Sequence, residues 1–433
     1  MSSNIVGLDI SKHTAEVAVL RGGVGAPRRT RFAARPDDIR AFARTLGPQD
    51  QVVLESCTNA LAFHRLLCQH AGRVVLSNPL KTRVIAEAKV KTDKVDAEIL
   101  ARLLAADFLP TVWVPDPLTD TLRHLVFHRQ GLVTQRTQAK NRIHAILHRN
   151  LIAPEMTDLF GRAGRAFLGV VVLPAFERQL LEADLRTIDF LNGEIGTVET
   201  SMAKAVKQDA HVQRLLSVPG IALTSAVGLR AAIGDVTRFK SPANLVSYFG
   251  LNPSVYQTGL KAYTGHISRR GRSHARAICI EAAHQLAQVP GPLHAFFVRL
   301  RQRKPYNVAI TAVARKLVTL VWHMLTHGED YHYAPPARTR QKRSHLQRLA
   351  TGERTPRTTE PLPAPSLDRE PGRTAQAAYE SFITKRFGPN GPAGIEHPNR
   401  KASDHPRTRQ RPEPTSATAT PRPANRRAPK KGT

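Results

Sequence analysis

Apolar and polar positions begin to sort almost at the first residue. Ile5, Val6, Leu8 and Ile10 form an apolar run, and Glu16–Leu20 and Thr30–Ala33 add two further segments of strand type. The polar stretch Ser11–Thr14 between the first two has hairpin-turn character. Pro36-Asp37-Asp38 then opens a segment with Ile39, Phe42 and Ala43 on one face, which predicts a helix to about Leu46. Beyond it the pattern predicts a strand over Gln51–Glu55, a helix over Ala60–His70, a strand over Arg73–Leu76 and a helix capped by Thr92 or Asp93 that runs to about Ala106. Three strands, a helix, then alternating strand and helix make an α/β sheet with at least one crossover.

The period changes at Pro117. A long helix is predicted to Asn150, basic throughout (Arg123, Arg129, Arg136, Lys140, Arg142, Arg149), and a second over Glu177–Lys207, with Leu181, Leu185, Ile188, Ile195 and Val198 near heptad spacing. Such a pair suggests a coiled-coil hairpin. Its arginines suit either a solvated face or a helix that tracks phosphates. From Leu215 to Leu325 the pattern is mainly helical, and Pro219-Gly220 reads either as a helix-hairpin-helix turn, whose amides can hold a phosphate, or as a plain joint. The expected organisation is an α/β domain at 1–111, a coiled-coil linker at 112–210, a mainly α-helical domain at 211–333 and a disordered tail at 334–433.

Composition supports that tail. Sixteen of the 31 prolines fall in the last hundred residues, where 21 basic residues face 8 acidic ones. Such a segment cannot bury enough apolar surface to fold, apart from one short helix expected around Thr374–Phe387. The chain carries 64 Lys and Arg against 34 Asp and Glu, a net charge of +30, and +17 remains without the tail. Polymers of phosphate are the natural partner of that excess. An anionic membrane surface competes, yet no apolar stretch nears the roughly 18 residues of a span, and no secretory signal precedes the first strand. Three cysteines without paired spacing indicate neither a disulfide framework nor a cysteine zinc site. A cytoplasmic, nucleoid-associated protein is the expectation.

The candidate chemistry lies in the first hundred residues. Asp9 sits on the buried first strand, where an unpartnered charge costs several kcal/mol, of order. Glu55 ends a later strand, and Asp93 and Asp96, three residues apart, share a face at the start of a helix. Each alone is commonplace. Together they suggest carboxylates collected around a cation.

Gly7-Leu8-Asp9-Ile10-Ser11-Lys12, Leu54-Glu55-Ser56 and Lys91-Thr92-Asp93-Lys94-Val95-Asp96-Ala97 follow the order of an RNase H-like nuclease domain of the Holliday-junction-resolvase (RuvC) type. They more closely resemble the DEDD transposases of bacterial insertion sequences, the insertion-sequence 110 family. The resemblance implies that Asp9, Glu55, Asp93 and Asp96 converge at the sheet edge and hold two Mg2+ (or Mn2+) ions. Lys12, Lys91 and Lys94, interleaved with them, are candidate nucleic-acid contacts. Further on, Ser217-Val218-Pro219-Gly220-Ile221, Tyr248-Phe249-Gly250-Leu251-Asn252-Pro253, Tyr256-Gln257-Thr258-Gly259 and Gly265-His266-Ile267-Ser268-Arg269-Arg270-Gly271 are similar to the family's C-terminal transposase domain. There the family places a nucleophilic serine; this chain has Thr258, whose extra methyl crowds an in-line attack. Ser254 is an outside candidate. Arg269, Arg270, Arg272 and Arg276 flank the same loop and suit phosphate binding.

The resemblance further implies DNA partners (element ends and target), a structured guide RNA from the element, and homodimers or homotetramers assembled through the coiled coil. The expected function is RNA-guided, magnesium-assisted transposition. A junction-type DNA endonuclease that uses water, or a catalytically impaired nucleic-acid-binding remnant, is the alternative.

Overall fold

The computed structural model describes residues 3–85, 93–259 and 261–352, with Ala377 and Ser381 beyond them. The N-terminal part runs β1 (Asn4–Ile10), β2 (Thr14–Arg21), β3 (Arg28–Ala33), α1 (Pro36–Ala43), β4 (Gln51–Glu55), α2 (Ala60–Leu67), β5 (Arg73–Ser77), α3 (Pro79–Ile85), α4 (Asp93–Ala105) and β6 (Thr111–Val112). The strands form one sheet in the order β3-β2-β1-β4-β5-β6. β1, β4 and β5 are parallel, and the remaining pairings are antiparallel. The α/β expectation holds, with α3 and the two-residue β6 added to it.

Alternation sends the side chains of the sheet to two different partners. Val6, Leu8, Val17, Val52 and Leu54 pack under Ile39, Ala43, Phe63 and Leu67 of α1 and α2. On the other face Val53 joins Leu100 and Leu104 of α4, with Ile5 and Val75 against them. Gly7 permits this second contact. A Cβ there would lie 2.0 Å from the carbonyl oxygen of Ala97 and 2.8 Å from the nitrogen of Ala101, so the helix backbone rests directly on the strand. A Cβ on Gly23, beside the start of β1, would lie 3.7 Å from Ala105. The helix therefore runs antiparallel to β1, and its first turn lies at the end where β1 stops.

The long helices follow: α5 (Pro117–Arg149), α6 (Arg162–Val170) and α7 (Ala175–Val206). Asp116 caps α5, accepting from the Thr119 nitrogen at 2.9 Å ahead of Pro117 in the first turn. Four arginines of α5 are engaged by side chains of α7. Arg129 pairs with Glu199 (2.7 Å), Arg142 with Asp184 (2.5 Å) and Arg149 with Glu177 (2.9 Å), and Arg136 donates to Asn192 (2.8 Å). As one number rises the other falls, which fixes an antiparallel register. Ala139, Ile143 and Ile146 pack against Leu181 and Ile188 toward the far end of the pair. At the near end Leu122, Val126 and Leu191–Val206 enter the core of the helices that follow, so no break in packing falls at 210.

Those helices are α8 (Ala210–Leu215), α9 (Leu223–Ile233), α10 (Pro242–Tyr248), α11 (Ser273–Leu286), α12 (Pro292–Arg301), α13 (Tyr306–His327) and α14 (Pro336–Thr351). Between α10 and α11 lies a hairpin of β7 (Pro253–Thr258) and β8 (Lys261–Ile267). Two expectations need correction. First, α13 has the length and apolarity of a span, but it is a core helix: Ile310, Val313, Leu317, Val321 and Met324 are buried in the helical core. Second, the stretch from 334 onward begins with structure. α14 buries Leu346 and sends Lys342 to the carbonyl oxygens of Leu216 and Val218 at 3.0 and 2.7 Å, closing the C-terminal end of α8. The helix expected around 374–387 lies outside the described residues, Ala377 and Ser381 excepted.

Candidate active site

Asp9 and Glu55 end two parallel strands that are neighbours in the sheet. The register pairs Gly7 with Val53 and Leu8 with Leu54, and both strands stop within two residues of that pair. Period-two alternation puts Asp9 on the face of Gly7, and Glu55 on the face of Val53, which is the α4 face. Asp96 immediately precedes Ala97, whose carbonyl lies on Gly7. The first turn of α4 thus approaches the end of the sheet where the two strand acids stand. Asp9, Glu55 and Asp96 are all partly buried. Asp93 begins α4, but its side chain and that of Lys94 lie outside the described residues, as does Lys91 altogether. Lys12 is exposed on the turn after β1.

A thiol reports the shared field of the strand acids. Burial raises Cys57 above its ordinary value, and the charges of Glu55 and Asp9 push it the same way. The loop holding Cys57 is tied to the one after β1: its thiol donates to Asn59 (3.0 Å), and Asn59 donates to the Ser11 carbonyl (3.2 Å).

Two members of this polar row escaped the sequence reading. Glu16 stands opposite Asp9 on β2, buried and paired with Arg31 of β3. Ser77 stands opposite Glu55 on β5, fully buried, its hydroxyl without a hydrogen-bond partner among the described residues. An acid at the head of the apolar segment Glu16–Leu20 was the available signal for Glu16. Ser77 had none. Among the described residues no group of three His, Cys, Asp or Glu side chains gathers closely enough to hold a metal ion. The donor chemistry is nonetheless that of a hard cation, carboxylate oxygens only, and an unsatisfied buried hydroxyl lies beside it.

The second candidate element is the β7–β8 hairpin. Its base is held backbone to backbone: Ser268 and Arg269 donate to the carbonyls of Asn252 (2.8 Å) and Gly250 (3.2 Å), and Arg272 to that of Tyr248 (3.0 Å). A Cβ on Gly271 would lie 2.2 Å from the Tyr248 oxygen, so only glycine fits. Thr258 is exposed at the tip, paired across the ladder with Lys261. Ser254 sits near the base, and its hydroxyl donates to the His266 carbonyl (3.0 Å). The four arginines divide. Arg276 bridges the carbonyls of Phe249 (3.0 Å) and Arg269 (3.2 Å), and Arg272 donates to the Tyr248 hydroxyl (2.8 Å). Arg269 and Arg270 remain exposed. Arg272 also lines a cavity of about 180 Å³ with Arg123 and His274.

Comparison with known proteins defines the class first. Residues 6–151 match the DEDD transposase profile of the IS110 type, and residues 212–298 match the transposase profile of the IS116/IS110/IS902 family. Relatives align across both parts. A "Probable family 20 transposase" of Pseudomonas aeruginosa is 28% identical over 76% of this chain and 99% of its own length. The transposase for insertion sequence element IS1328 of Yersinia enterocolitica is 26% identical over 75% and 97%. The pilin gene-inverting protein of Moraxella bovis is 24% identical over 60% and 75%. The chain belongs to the IS110 family of transposases, enzymes that cleave and rejoin DNA.

Proposed function

We propose that this transposase mobilises its own insertion sequence with an RNase H-like acid centre and a hydroxyl nucleophile, Thr258, carried on the hairpin. The observation that carries the reading is the placement of Asp9 and Glu55 on one face at the ends of parallel strands, under the first turn of the helix bearing Asp93 and Asp96. Asp9, Glu55, Asp93 and Asp96 would hold Mg2+, which lowers the barrier at phosphorus by charge neutralisation and by activating oxygen nucleophiles. Asp9 and Glu55 enter that role from rigid strands, and Asp93 and Asp96 from the opening turn of a helix. Glu16, neutralised by Arg31, keeps a second charge next to Asp9 compensated.

Thr258 Oγ1 would form a bond to phosphorus while the bond to a deoxyribose oxygen breaks and that oxygen takes up a proton. The phosphoester so conserved is what a later strand consumes on rejoining. Exposure favours Thr258 over Ser254, whose hydroxyl is already engaged at the base of the hairpin. Arg269 and Arg270 are free to meet the DNA backbone. A structured RNA from the element would select donor and target by base pairing; the +30 charge supplies the attraction for both nucleic acids.

The test is a recombination assay with purified protein, the RNA flanking the gene, donor and target DNA, and Mg2+. Thr258→Ala should give no product and Thr258→Ser should give at least the wild-type amount. Cleaved but unjoined DNA from the alanine variant would replace the covalent step with hydrolysis by water, and recombinant product from it would remove Thr258 from the chemistry.

A further inference from the structure

Thr258 shares its face of the hairpin with two exposed tyrosines. The ladder sets Tyr256 opposite Tyr263 and Thr258 opposite Lys261, and residues two apart on a strand share a face. Tyr256 and Tyr263 are 69% and 63% exposed, and Val255, on the opposite face, is 60% exposed. An isolated two-stranded ribbon is at best marginally stable, so a hairpin bare on both faces is completed by something it binds. Neither tyrosine makes a ring contact among the described residues, which leaves their faces open. Residues Pro253–Ile267 contain no Asp or Glu and carry Lys261, with Arg269 and Arg270 just beyond.

An aromatic pair in an acid-free, cationic setting is the composition of a single-strand nucleic-acid platform, where rings take the bases and cations the backbone. Spacing connects it to the chemistry. One step of two residues along β7 covers about 6.8 Å, and a stacked strand advances about 3.4 Å per nucleotide. A base held on the tyrosines therefore lies about two nucleotides from the phosphate presented to Thr258.

We infer that Tyr256 and Tyr263 form a stacking platform for an unpaired base of the DNA strand whose phosphate Thr258 attacks. The inference rests on the reading of Thr258 as the attacking group. Both tyrosines are positioning residues: they fix the strand, and Lys261 holds the backbone beside the hydroxyl. Because every base has a π-face, the platform sets register without choosing sequence.

The experiment uses the full chain and oligonucleotides of the element end with 2-aminopurine at successive positions around the cleavage point. Binding is measured at raised salt, where the general electrostatic attraction fades. Wild type should quench the probe at one or two adjacent positions. Tyr256→Ala and Tyr263→Ala should each remove the quench and weaken binding about tenfold, within the range for one stacked base, while the Tyr→Phe variants keep both. Thr258→Ala should retain the quench whatever happens to product, so failure of the nucleophile reading and failure of the platform are separable. Alanine variants that bind and quench like wild type, or quenching only with the RNA version of the oligonucleotide, would overturn the inference.

Discussion

Asp9 shows what one residue does at a strand end. It occupies the last turnable position on a face otherwise covered by α4, and its charge is felt by the Cys57 thiol together with that of Glu55. Asp9→Asn keeps the shape and removes the charge. Recombination should fall by more than about a hundredfold, beyond the usual cost of losing a ligand's supporting partner. Nucleic-acid binding should persist; its loss together with the fold would make Asp9 structural. An independent readout is the thiol. In metal-free protein the negative neighbours raise it, so removing one must lower it, and Cys57 kept in chelator should alkylate faster at a given pH in Asp9→Asn than in wild type, followed by peptide mass spectrometry. An unchanged rate would separate Asp9 from the loop after β4. Gly7 acts two residues earlier by having no side chain. A methyl there would need to displace the Ala97 carbonyl, so Gly7→Ala should destabilise by about 1–3 kcal/mol, as overpacking does. The reading is a lower denaturant midpoint, and an unshifted one would show that α4 does not rest on β1.

Among the elements, those with periodic burial were legible and those anchored by polar contacts were not. β1 and α5 announced themselves by apolar residues that recur along the element, and β4 by the unbroken apolar run Val52-Val53-Leu54 of a strand buried on both faces. The β7–β8 hairpin did not, since both its faces are wet and alternation leaves no contrast to read. α14 was hidden by its neighbours and its composition: it opens on two prolines, Pro335 at its cap and Pro336 in its first turn, is dense in Arg and Lys, and buries Leu346 with little else than Ala337 and Thr339. Its anchor is the Lys342 amine on two carbonyls, which no hydrophobic pattern encodes. The α5 arginines were visible but ambiguous, because only the register of α7 shows that acids meet them. For α14 a pH test follows. Burial pushes Lys342 from 10.5 down to about 8. Between those values the unfolded chain binds a proton that the folded chain lacks, so the fold gains stability as pH rises through that window. The thermal midpoint of wild type relative to Lys342→Met should therefore climb between pH 8 and pH 10. A constant difference would mean that the amine is not buried in solution.

At the scale of the whole molecule the question is whether one chain contains a complete site. The hairpin tip offers Thr258, and the sheet offers the acids; the side-chain hydrogen bonds described on the hairpin run to its own backbone. α7 meanwhile exposes Phe176 (64%), Leu180 (51%) and Phe190 (65%), which at 3.6 residues per turn fall within about 80° of arc. A stripe of three large apolar side chains on a long helix would suit contact with a second copy, and the oligomer expected from the sequence is tested there. Replacing all three with serine should reduce the solution mass measured by light scattering, while the fold, which does not use them, keeps its melting temperature. Assembly then permits a decisive mixture. Neither Asp9→Asn nor Thr258→Ala alone should give product. If the acids of one subunit serve the hydroxyl of another, co-folded mixtures contain one undamaged composite site and product returns. If each chain uses its own hydroxyl, every site in the mixture is damaged and none appears. Return of product in the mixture, and its loss again when the serine stripe is added to both chains, would place the site between subunits and make α7 the element that builds it.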